Sequence, residues 1–239
     1  MEKIIAIHQP NYFPWLGYFH KIYYADVFVA HDNVEYSKGD LCNRALLRKE
    51  LHSDETRKLS VPLKNHSDFA LIKDLVIDHS QDWQKKHCNI LRSLYQGGDY
   101  FSKYFPEVEA LIYSSQEVQY LTDYNLNIIK TVCSWLDVST EIYRSSQLEV
   151  NGKKSHYNVN IVKHFKGTVY FSGLGAKEYQ SEAEYADEKI KLLYQDLLPY
   201  LQKNPYPQKQ GPTMHGLSIL DALFNIGPKE IDKLLKNYA

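Results

Sequence analysis

Short apolar runs and segments with helical spacing alternate at the start of the chain. The run KIIAI (3–7) is rich in β-branched residues and is closed by Pro10, which predicts a short buried strand. The segment LGYFHKIYY (16–24) has the apolar spacing of a helix, and ADVFVAHD (25–32) predicts a second buried strand. The loop at residues 8–15 therefore follows the carboxyl end of a strand, where open α/β sheets bind their ligands.

The pattern in the middle of the chain is mostly helical. Residues 43–63 predict two short strands around a polar turn, and the apolar run at 71–78 predicts another strand. Segment 80–98 begins at a serine that is a good helix cap and ends in two glycines, so it predicts one helix. Segment 105–137 predicts two more helices. We expect a mostly helical subdomain at about 80–137, inserted in or appended to the sheet.

The pattern returns to strand, helix, strand in the last hundred residues. Strands are predicted at 140–148 and 167–173 on either side of a helix at 156–166, which is a βαβ unit. A further strand is predicted at 190–197, and a final helix at 217–238 is interrupted by a Gly-Pro pair. The whole pattern favours an α/β, Rossmann-like fold with a parallel sheet.

Composition narrows the possible functions by exclusion. The 239 residues, of which 44% are hydrophobic and 24% charged, fit one globular α/β domain over residues 1–239 and exclude a disordered chain. The formal net charge of -1 gives no overall electrostatic case for nucleic-acid binding, although Lys85, Lys86 and Arg92 provide a local basic patch. The chain has no apolar stretch long enough to cross a bilayer and no leader pattern, so we expect a cytoplasmic protein without membrane insertion.

Several reactive side chains are better explained by structure than by chemistry. The three cysteines, Cys42, Cys88 and Cys133, are far apart and show no metal-ligand spacing, so we expect reduced structural thiols and no metal site. His87 lies in a predicted helix, and we expect it at the surface or in the core rather than in a functional site. Asp221 lies on a largely apolar helix, which favours a buried structural contact.

The loop after the first strand carries the best candidates for catalysis. His8 and Gln9 leave the strand where polar side chains can point into a cleft, and Asn11, Tyr12 and Trp15 follow. His8 is a candidate general base near neutral pH, or a donor to a developing negative charge. The simpler interpretation, in which His8 bonds to backbone at the end of the strand, stays open at this point.

A second group of candidates follows the second strand. His31 and Asp32 end that strand, so neighbouring strands deliver them and His8 to the same edge of the sheet. Asn43 and Arg44 come next, and a guanidinium recognises phosphate or carboxylate in a bidentate manner. An ion pair in solvent would explain Arg44 equally well.

The turn after the strand at 167–173 is rich in small residues. Ser172, Gly173, Gly175 and Ala176 precede Lys177, which resembles the backbone cradle of nucleotide phosphate sites. The segment matches neither the Walker A pattern nor the full dinucleotide fingerprint, so it predicts phosphate binding weakly by itself.

Together these stretches resemble one protein family. The matching segments, in chain order, are IHQPNYFPWLGYFHKI, Asn43-Arg44, LSVPL, FSGLGAKEY, PYPQ and LSILDALFNIGP. They resemble the WbqC-like proteins, which are bacterial and are typically encoded among genes for O-antigen and other surface polysaccharides. The chain departs from that pattern at Gly39–Cys42, where relatives usually place an aromatic residue and an arginine. The resemblance implies a modifying step on a nucleotide-linked sugar of lipopolysaccharide biosynthesis.

A looser resemblance concerns the fold. The opening strand, proline-containing loop and helix look like the start of the HUP-type nucleotide-binding fold, in which a Gly-His pair handles the phosphates. Here the pair is Gly17-Tyr18, so the second histidine is missing. This departure counts against straightforward nucleotidyl transfer and leaves room for amide-forming chemistry.

The family resemblance suggests an enzyme that attaches an acyl or aminoacyl group to the amine of a nucleotide-linked amino sugar. His8 is the expected base, Asp32 its orienting partner, and Gln9 or Asn11 the donor to the oxyanion. The side chains expected to bind substrate are Tyr12, Trp15, Tyr18, Asn43, Arg44, Ser172, Gly173, Gly175 and Lys177.

Two other functions stay open at the level of sequence. One is nucleotidyl or glycosyl transfer, and the other is a non-catalytic sugar-binding or scaffold protein of a polysaccharide biosynthetic complex. The acyl donor is also open among a coenzyme A thioester, an aminoacyl-tRNA and an ATP-activated acid, and the near-neutral charge of the chain argues against the tRNA. Each of these functional hypotheses allows the protein to be an oligomer.

Overall fold

The computed structural model describes residues 2–237 and contains seven strands and eight α-helices within that part of the chain. The strands are β1 (Ile4–His8), β2 (Val27–Ala30), β3 (Arg44–Arg48), β4 (Thr56–Ser60), β5 (Glu141–Arg144), β6 (Val169–Gly173) and β7 (Lys191–Gln195). The helices are α1 (Leu16–Tyr24), α2 (Trp83–Tyr95), α3 (Phe101–Tyr113), α4 (Leu121–Trp135), α5 (Lys154–His164), α6 (Glu182–Asp187), α7 (Leu197–Lys203) and α8 (Ile219–Asn237).

Five of the strands form one parallel sheet. Its order is β5-β2-β1-β6-β7, with His8 of β1 opposite Ala30 of β2 and Ala6 of β1 opposite Phe171 of β6. From β1 the chain first adds strands on one side and then crosses over to add β6 and β7 on the other. This is the doubly wound order, and the switch point lies between the carboxyl ends of β1 and β6. The predicted Rossmann-like α/β fold is confirmed.

Helices cover both faces of the sheet because the strand side chains alternate between two apolar clusters. On β1, Ile5 and Ile7 point to the face covered by α5 and α6, whereas Ala6 points to the face covered by α1, α4 and α8. His8 therefore shares the α1 face with Ala6. This alternation determines to which face of the sheet the last side chain of each strand points.

The helical block α2–α4 packs on the α1 face. Its buried residues belong to the same continuous apolar cluster as those of α1 and α8. The hairpin β3–β4 lies outside the main sheet as a separate antiparallel pair, with Arg44 opposite Ser60. No helix of residues 2–237 has the length and apolar character needed to cross a membrane.

The structure differs from two sequence predictions and contains two helices that were not predicted. The run 71–78 is not a strand, since a 3-10 turn (Ile72–Asp74) divides it into halves that bridge different partners. Helix α2 is capped by Asp82, whose carboxylate accepts from Lys85 N at 3.2 Å, and not by Ser80. The short helices α6 and α7 were not expected, because seven or fewer residues carry little periodicity.

The predicted break in the last helix is present at Gly227. This residue has φ 71° and ψ 170° inside α8, a conformation that favours glycine. A Cβ atom there would also lie 2.6 Å from the ring of Tyr100. The final residue of the predicted helix, Tyr238, lies outside the described residues.

Candidate functional site

A cavity of about 300 Å³ opens at the switch point of the sheet, on the α1 face. The residues around it come from the ends of β1, β6 and β7, from α1 and from the start of α7. They are His8, Trp15, Lys21, Gly173, Leu174, Gly175, Gln195, Asp196, Leu197 and Leu198. We call it the switch-point cavity.

His8 enters this cavity as a neutral imidazole with a defined tautomer. Its Nδ1 lies 3.1 Å from the carbonyl oxygen of Gln9. Because a carbonyl only accepts, Nδ1 carries the proton and Nε2 keeps its lone pair. Burial and then the nearby charge of Lys21 lower the pKa of His8 to about 3. The ring also packs edge-on against Tyr18, with centroids 4.9 Å apart.

Lys21 is the least expected member of the site. It lies on α1 and is 2% exposed, and no hydrogen bond or ion pair reaches its ammonium from any described residue. Its Nζ faces Gly173, since a Cβ atom at that position would lie 3.6 Å away. Burial lowers the pKa of Lys21 to about 7. A buried ammonium without a counter-ion is costly, which marks this lysine as a functional candidate.

Gln195, at the end of β7, lines the same cavity as Lys21 and bonds to α1. Its Nε2 donates to the carbonyl oxygen of Gly17 at 2.8 Å and lies 2.6 Å from Nδ1 of His20. These contacts hold the first turn of α1 against the end of β7. The sequence analysis missed both Lys21 and Gln195. The one available signal was a lysine inside an otherwise apolar helical segment.

The small-residue turn after β6 divides between the two faces of the sheet. Gly173 and Gly175 line the switch-point cavity, as expected of a backbone cradle. Ser172 points to the other face, where its Oγ accepts from Nε2 of Gln180 at 2.9 Å. Lys177 is exposed and lies 5.7 Å from the centroid of the Tyr194 ring, away from the cavity lining. The predicted phosphate contacts of Ser172 and Lys177 are therefore not supported at this cavity.

Of the three aromatic side chains expected to stack on a substrate, only Trp15 lines the cavity. Tyr12 is fully buried, and its hydroxyl donates to Nδ1 of His87 at 3.0 Å. Tyr18 is also fully buried, and its hydroxyl donates to the carbonyl oxygen of Gln9. The predicted stacking role of Tyr12 and Tyr18 therefore has no support in this structure, because neither ring has an exposed face.

Asp32 has a structural role that the sequence could not show. Its fully buried carboxylate accepts from Nε of Arg144 at 2.8 Å and from the backbone N–H and hydroxyl of Ser146 at 2.9 and 2.8 Å. The Ser145 hydroxyl donates to it as well, at 3.2 Å. These bonds tie the end of β2 to the turn after β5. The expectation that Asp32 orients His8 stays a prediction without geometric support, since these partners fill the acceptor positions of the carboxylate.

Asn43 and Arg44 lie on the β3–β4 hairpin and do not line the switch-point cavity. Asn43 is buried, accepts from the Tyr36 hydroxyl at 2.9 Å and donates to the Val61 carbonyl at 2.9 Å. The Arg44 guanidinium donates to the carbonyl oxygen of Lys38. These contacts shape the hairpin, and the predicted clamp of Asn43 and Arg44 on a phosphate stays a prediction without support at the switch-point cavity.

The loop residues Gln9 and Asn11 do not line the cavity either. The Gln9 side-chain oxygen lies 3.5 Å from the thiol sulfur of Cys42. Asn11 is buried, and its Oδ1 has no hydrogen-bond partner among the described residues. Their proposed donation to an oxyanion stays a prediction without geometric support.

The three cysteines and Asp221 have the surroundings of structural side chains. Cys42, Cys88 and Cys133 are free and buried, and burial raises the pKa of each thiol, for Cys88 to about 12. Asp221 is buried and accepts from the hydroxyls of Tyr95 and Tyr206, at 3.0 and 2.8 Å. This confirms the structural interpretation of Asp221. Residues 2–237 contain no group of three or more His, Cys, Asp or Glu side chains suited to hold a metal ion.

Comparison with known proteins identifies the family of this chain. The sequence pattern described as the WbqC-like protein family matches residues 9–233. The chain is 30% identical over 233 residues to a protein of Mycobacterium tuberculosis described only as uncharacterized, a match that covers 97% of each chain. No solved structure matches the chain.

Proposed function

The chain belongs to the WbqC-like protein family, and from that premise we propose that it transfers an acyl or aminoacyl group to the amine of a nucleotide-linked amino sugar. The setting would be the biosynthesis of a surface polysaccharide such as the O-antigen of lipopolysaccharide. One observation carries the proposal. Lys21, a buried ammonium with no ion pair to any described residue, lines the same cavity as the neutral imidazole of His8, at the switch point of a doubly wound sheet.

Lys21 supports the binding of an anionic substrate group. With a pKa of about 7, the ammonium and the neutral amine are both populated near neutral pH. A diphosphate beside Nζ would favour the charged form and supply the counter-ion that the described protein lacks. Gly173 and Gly175 leave the backbone of the β6 turn open on the same side.

His8 supports the removal of a proton from the attacking amine. The sugar amine attacks the acyl carbon, a C–N bond forms, and the bond from that carbon to the leaving group breaks. Nε2 of His8 accepts the proton that the amine loses and passes it to the leaving group. A bound diphosphate would offset the Lys21 charge that lowers the pKa of His8. His8 would then become a stronger base when the substrate is present.

The test is a direct assay for the amide. The protein is incubated with UDP- and dTDP-linked amino sugars and, in separate arms, with acetyl-coenzyme A, ATP plus amino acids, or aminoacyl-tRNA. Mass spectrometry would show a product heavier by the acyl group, and the productive arm would identify the donor. The proposal expects Lys21→Met to weaken sugar-nucleotide binding and His8→Ala to abolish turnover with binding largely retained.

The matched controls are an exposed lysine of α4, changed in Lys130→Met, and an exposed histidine that ends α5, changed in His164→Ala. Both controls should retain wild-type turnover. Binding of a nucleotide sugar without any amide product in all three donor arms would contradict the transferase. That result would favour the sugar-binding protein of the same family.

A further inference from the structure

A groove runs between the β3–β4 hairpin and helix α2 and shares no lining residue with the switch-point cavity. It consists of two adjoining cavities, of about 630 and 410 Å³. Four residues line both cavities and mark the place where the two meet: Arg57, Asp82, Lys86 and Ile90. We call the whole space the hairpin groove. None of its residues is used by the reaction proposed above.

The hairpin groove is cationic, although the whole chain carries a formal net charge of -1. Five of its side chains are basic and two are acidic, namely Lys49, Arg57, Lys58, Lys85 and Lys86 against Glu50 and Asp82. Of the five basic side chains, Lys49 alone forms an ion pair with a described residue, which is Glu55. The Asp82 carboxylate caps α2 by accepting from Lys85 N at 3.2 Å. Four cations of the groove therefore lack a carboxylate partner among the described residues.

Arg57 is held in position where the two cavities meet. On β4 it shares a face with Leu59, which is buried in the main apolar cluster, and its own side chain is half-buried. Its Nη1 donates to the carbonyl oxygen of Lys49 at 3.4 Å. The other N–H groups of the guanidinium remain for a ligand, and a guanidinium binds phosphate oxygens in a bidentate manner.

Helix α2 supplies the opposite wall of the groove. The residues of this segment that line both cavities are spaced four apart, as one face of a helix requires: Asp82, Lys86 and Ile90. Lys86 and Arg57 thus reach the same place from opposite walls. Arg92 of the same helix pairs instead with Glu109 at 2.6 Å and is not part of the lining. The cations that remain unpaired are therefore the ones that line the groove.

Apolar side chains line the groove on both sides of this meeting place. The larger cavity alone contains Leu51 and Leu94, and the Leu51 side chain is 50% exposed. The smaller cavity alone contains Leu59, Pro62 and Trp83. The volumes of both cavities lie in the range that suits small ligands and cofactors. The shape therefore fits a molecule with a phosphate group in the middle and an organic group on each side.

We propose that the hairpin groove binds a diphosphate that carries an organic group at each end, with the diphosphate held between Arg57 and Lys86. Its negative charges supply the counter-ions that the four unpaired cations lack. Coenzyme A and nucleotide-linked sugars both have this form, so the experiment below compares them. The site is separate from the switch-point cavity, and its existence does not depend on the function proposed above.

Isothermal titration calorimetry with coenzyme A and, separately, with UDP-glucose tests this site. The wild-type protein should bind at least one of the two, with an affinity that falls as the salt concentration rises. Arg57→Gln and Lys86→Met should each weaken that binding by about tenfold or more, because each removes a charged contact to phosphate. Lys130→Met is the matched control, since this exposed lysine of α4 lies outside the groove. It should bind like wild type.

Amide NMR spectra of the unmodified protein guard against a variant that fails to fold. The bound ligand should shift the amide signals of α2 and β4. Shifts confined to β6 and β7, wild-type affinity in both groove variants, or no binding of either ligand would each overturn the site. Transfer RNA that binds where neither small ligand does would overturn it in favour of a nucleic acid. Binding in the groove without any amide product would leave the site standing and remove the transferase, and an amide product without such binding would do the reverse.

Discussion

The Lys21 ammonium and Gly173 face each other across the switch-point cavity, because a side chain at 173 would place its Cβ 3.6 Å from Lys21 Nζ. That distance is ordinary van der Waals contact. The glycine has φ -80° and ψ 146°, which any residue adopts. Glycine is thus not required there for folding, and the space in front of the ammonium is the property that it provides.

Gly173→Ala should therefore separate binding from folding. We expect its free energy of unfolding to stay within about 1 kcal/mol of wild type. Its affinity for UDP should fall, because the new methyl group occupies the space that a phosphate needs. Urea denaturation and calorimetry measure the two quantities. Gly39→Ala is the control, with its Cβ 3.7 Å from Ser37 Oγ in an exposed loop. Equal UDP affinity in both variants would contradict this use of the space.

Lys21 should make the protein more stable as the pH rises. The folded pKa of about 7 lies below the ordinary 10.5, so between these values the unfolded chain binds the extra proton. The cost of burying the ammonium is full below pH 7 and disappears above 10.5. Lys21→Met removes it, so the variant should exceed wild type by about 2–4 kcal/mol near pH 7. That gap should close by about 1.4 kcal/mol per pH unit above neutrality.

Chemical denaturation of both proteins at several pH values measures this gap. Lys130→Met, at an exposed site on α4, should show no such dependence. A gap between Lys21→Met and wild type that does not change with pH would mean that the Lys21 ammonium is solvated.

His8 should stay neutral in the free protein until the pH approaches about 3. Its nitrogen chemical shifts in long-range ¹⁵N NMR spectra should show a proton on Nδ1 and none on Nε2. Two changes should raise its pKa, because both remove the effect of the Lys21 charge: the substitution Lys21→Met and the binding of UDP. A pKa unmoved by both would leave burial as the only cause.

Asp32→Asn should destabilise the protein while leaving His8 unchanged. The substitution removes the charge that pairs with Arg144 and leaves an amide among four donors, at a cost of about 2–4 kcal/mol. Asp123→Asn is the control, because this second carboxylate partner of Arg144 is 42% exposed and should cost about 1 kcal/mol or less. Urea denaturation measures both. A change of the His8 tautomer in Asp32→Asn would instead support a role of Asp32 in orienting the imidazole.

The sequence predicted the features that depend on local pattern. Short apolar runs located the strands of the parallel sheet, and period-3.6 spacing located most of the helices between them. The end of β1 placed His8 at the edge of the sheet where the switch-point cavity lies. The kink at Gly227 was also predicted from the sequence, because a Gly-Pro pair interrupts a helix.

The features that the sequence did not predict depend on contacts between distant parts of the chain. Asp32 meets its partner Arg144 from a position 112 residues away, and Tyr12 meets His87 from 75 residues away. The spacing of residues along the sequence does not predict such long-range contacts. Lys21 was missed because helical periodicity shows which positions share a face, but not that a second element covers the face where the lysine lies.

The segment Leu174–Tyr179 borders two cavities, because Leu174 and Gly175 line the switch-point cavity while Ala176 and Glu178 line a second cavity of about 570 Å³ beside α5. A ligand in the second cavity that shifted this segment would change the shape of the space beside His8, and a ligand beside His8 would act on the second cavity with the same free energy. One short segment is therefore the place where events on the two faces of the sheet can meet.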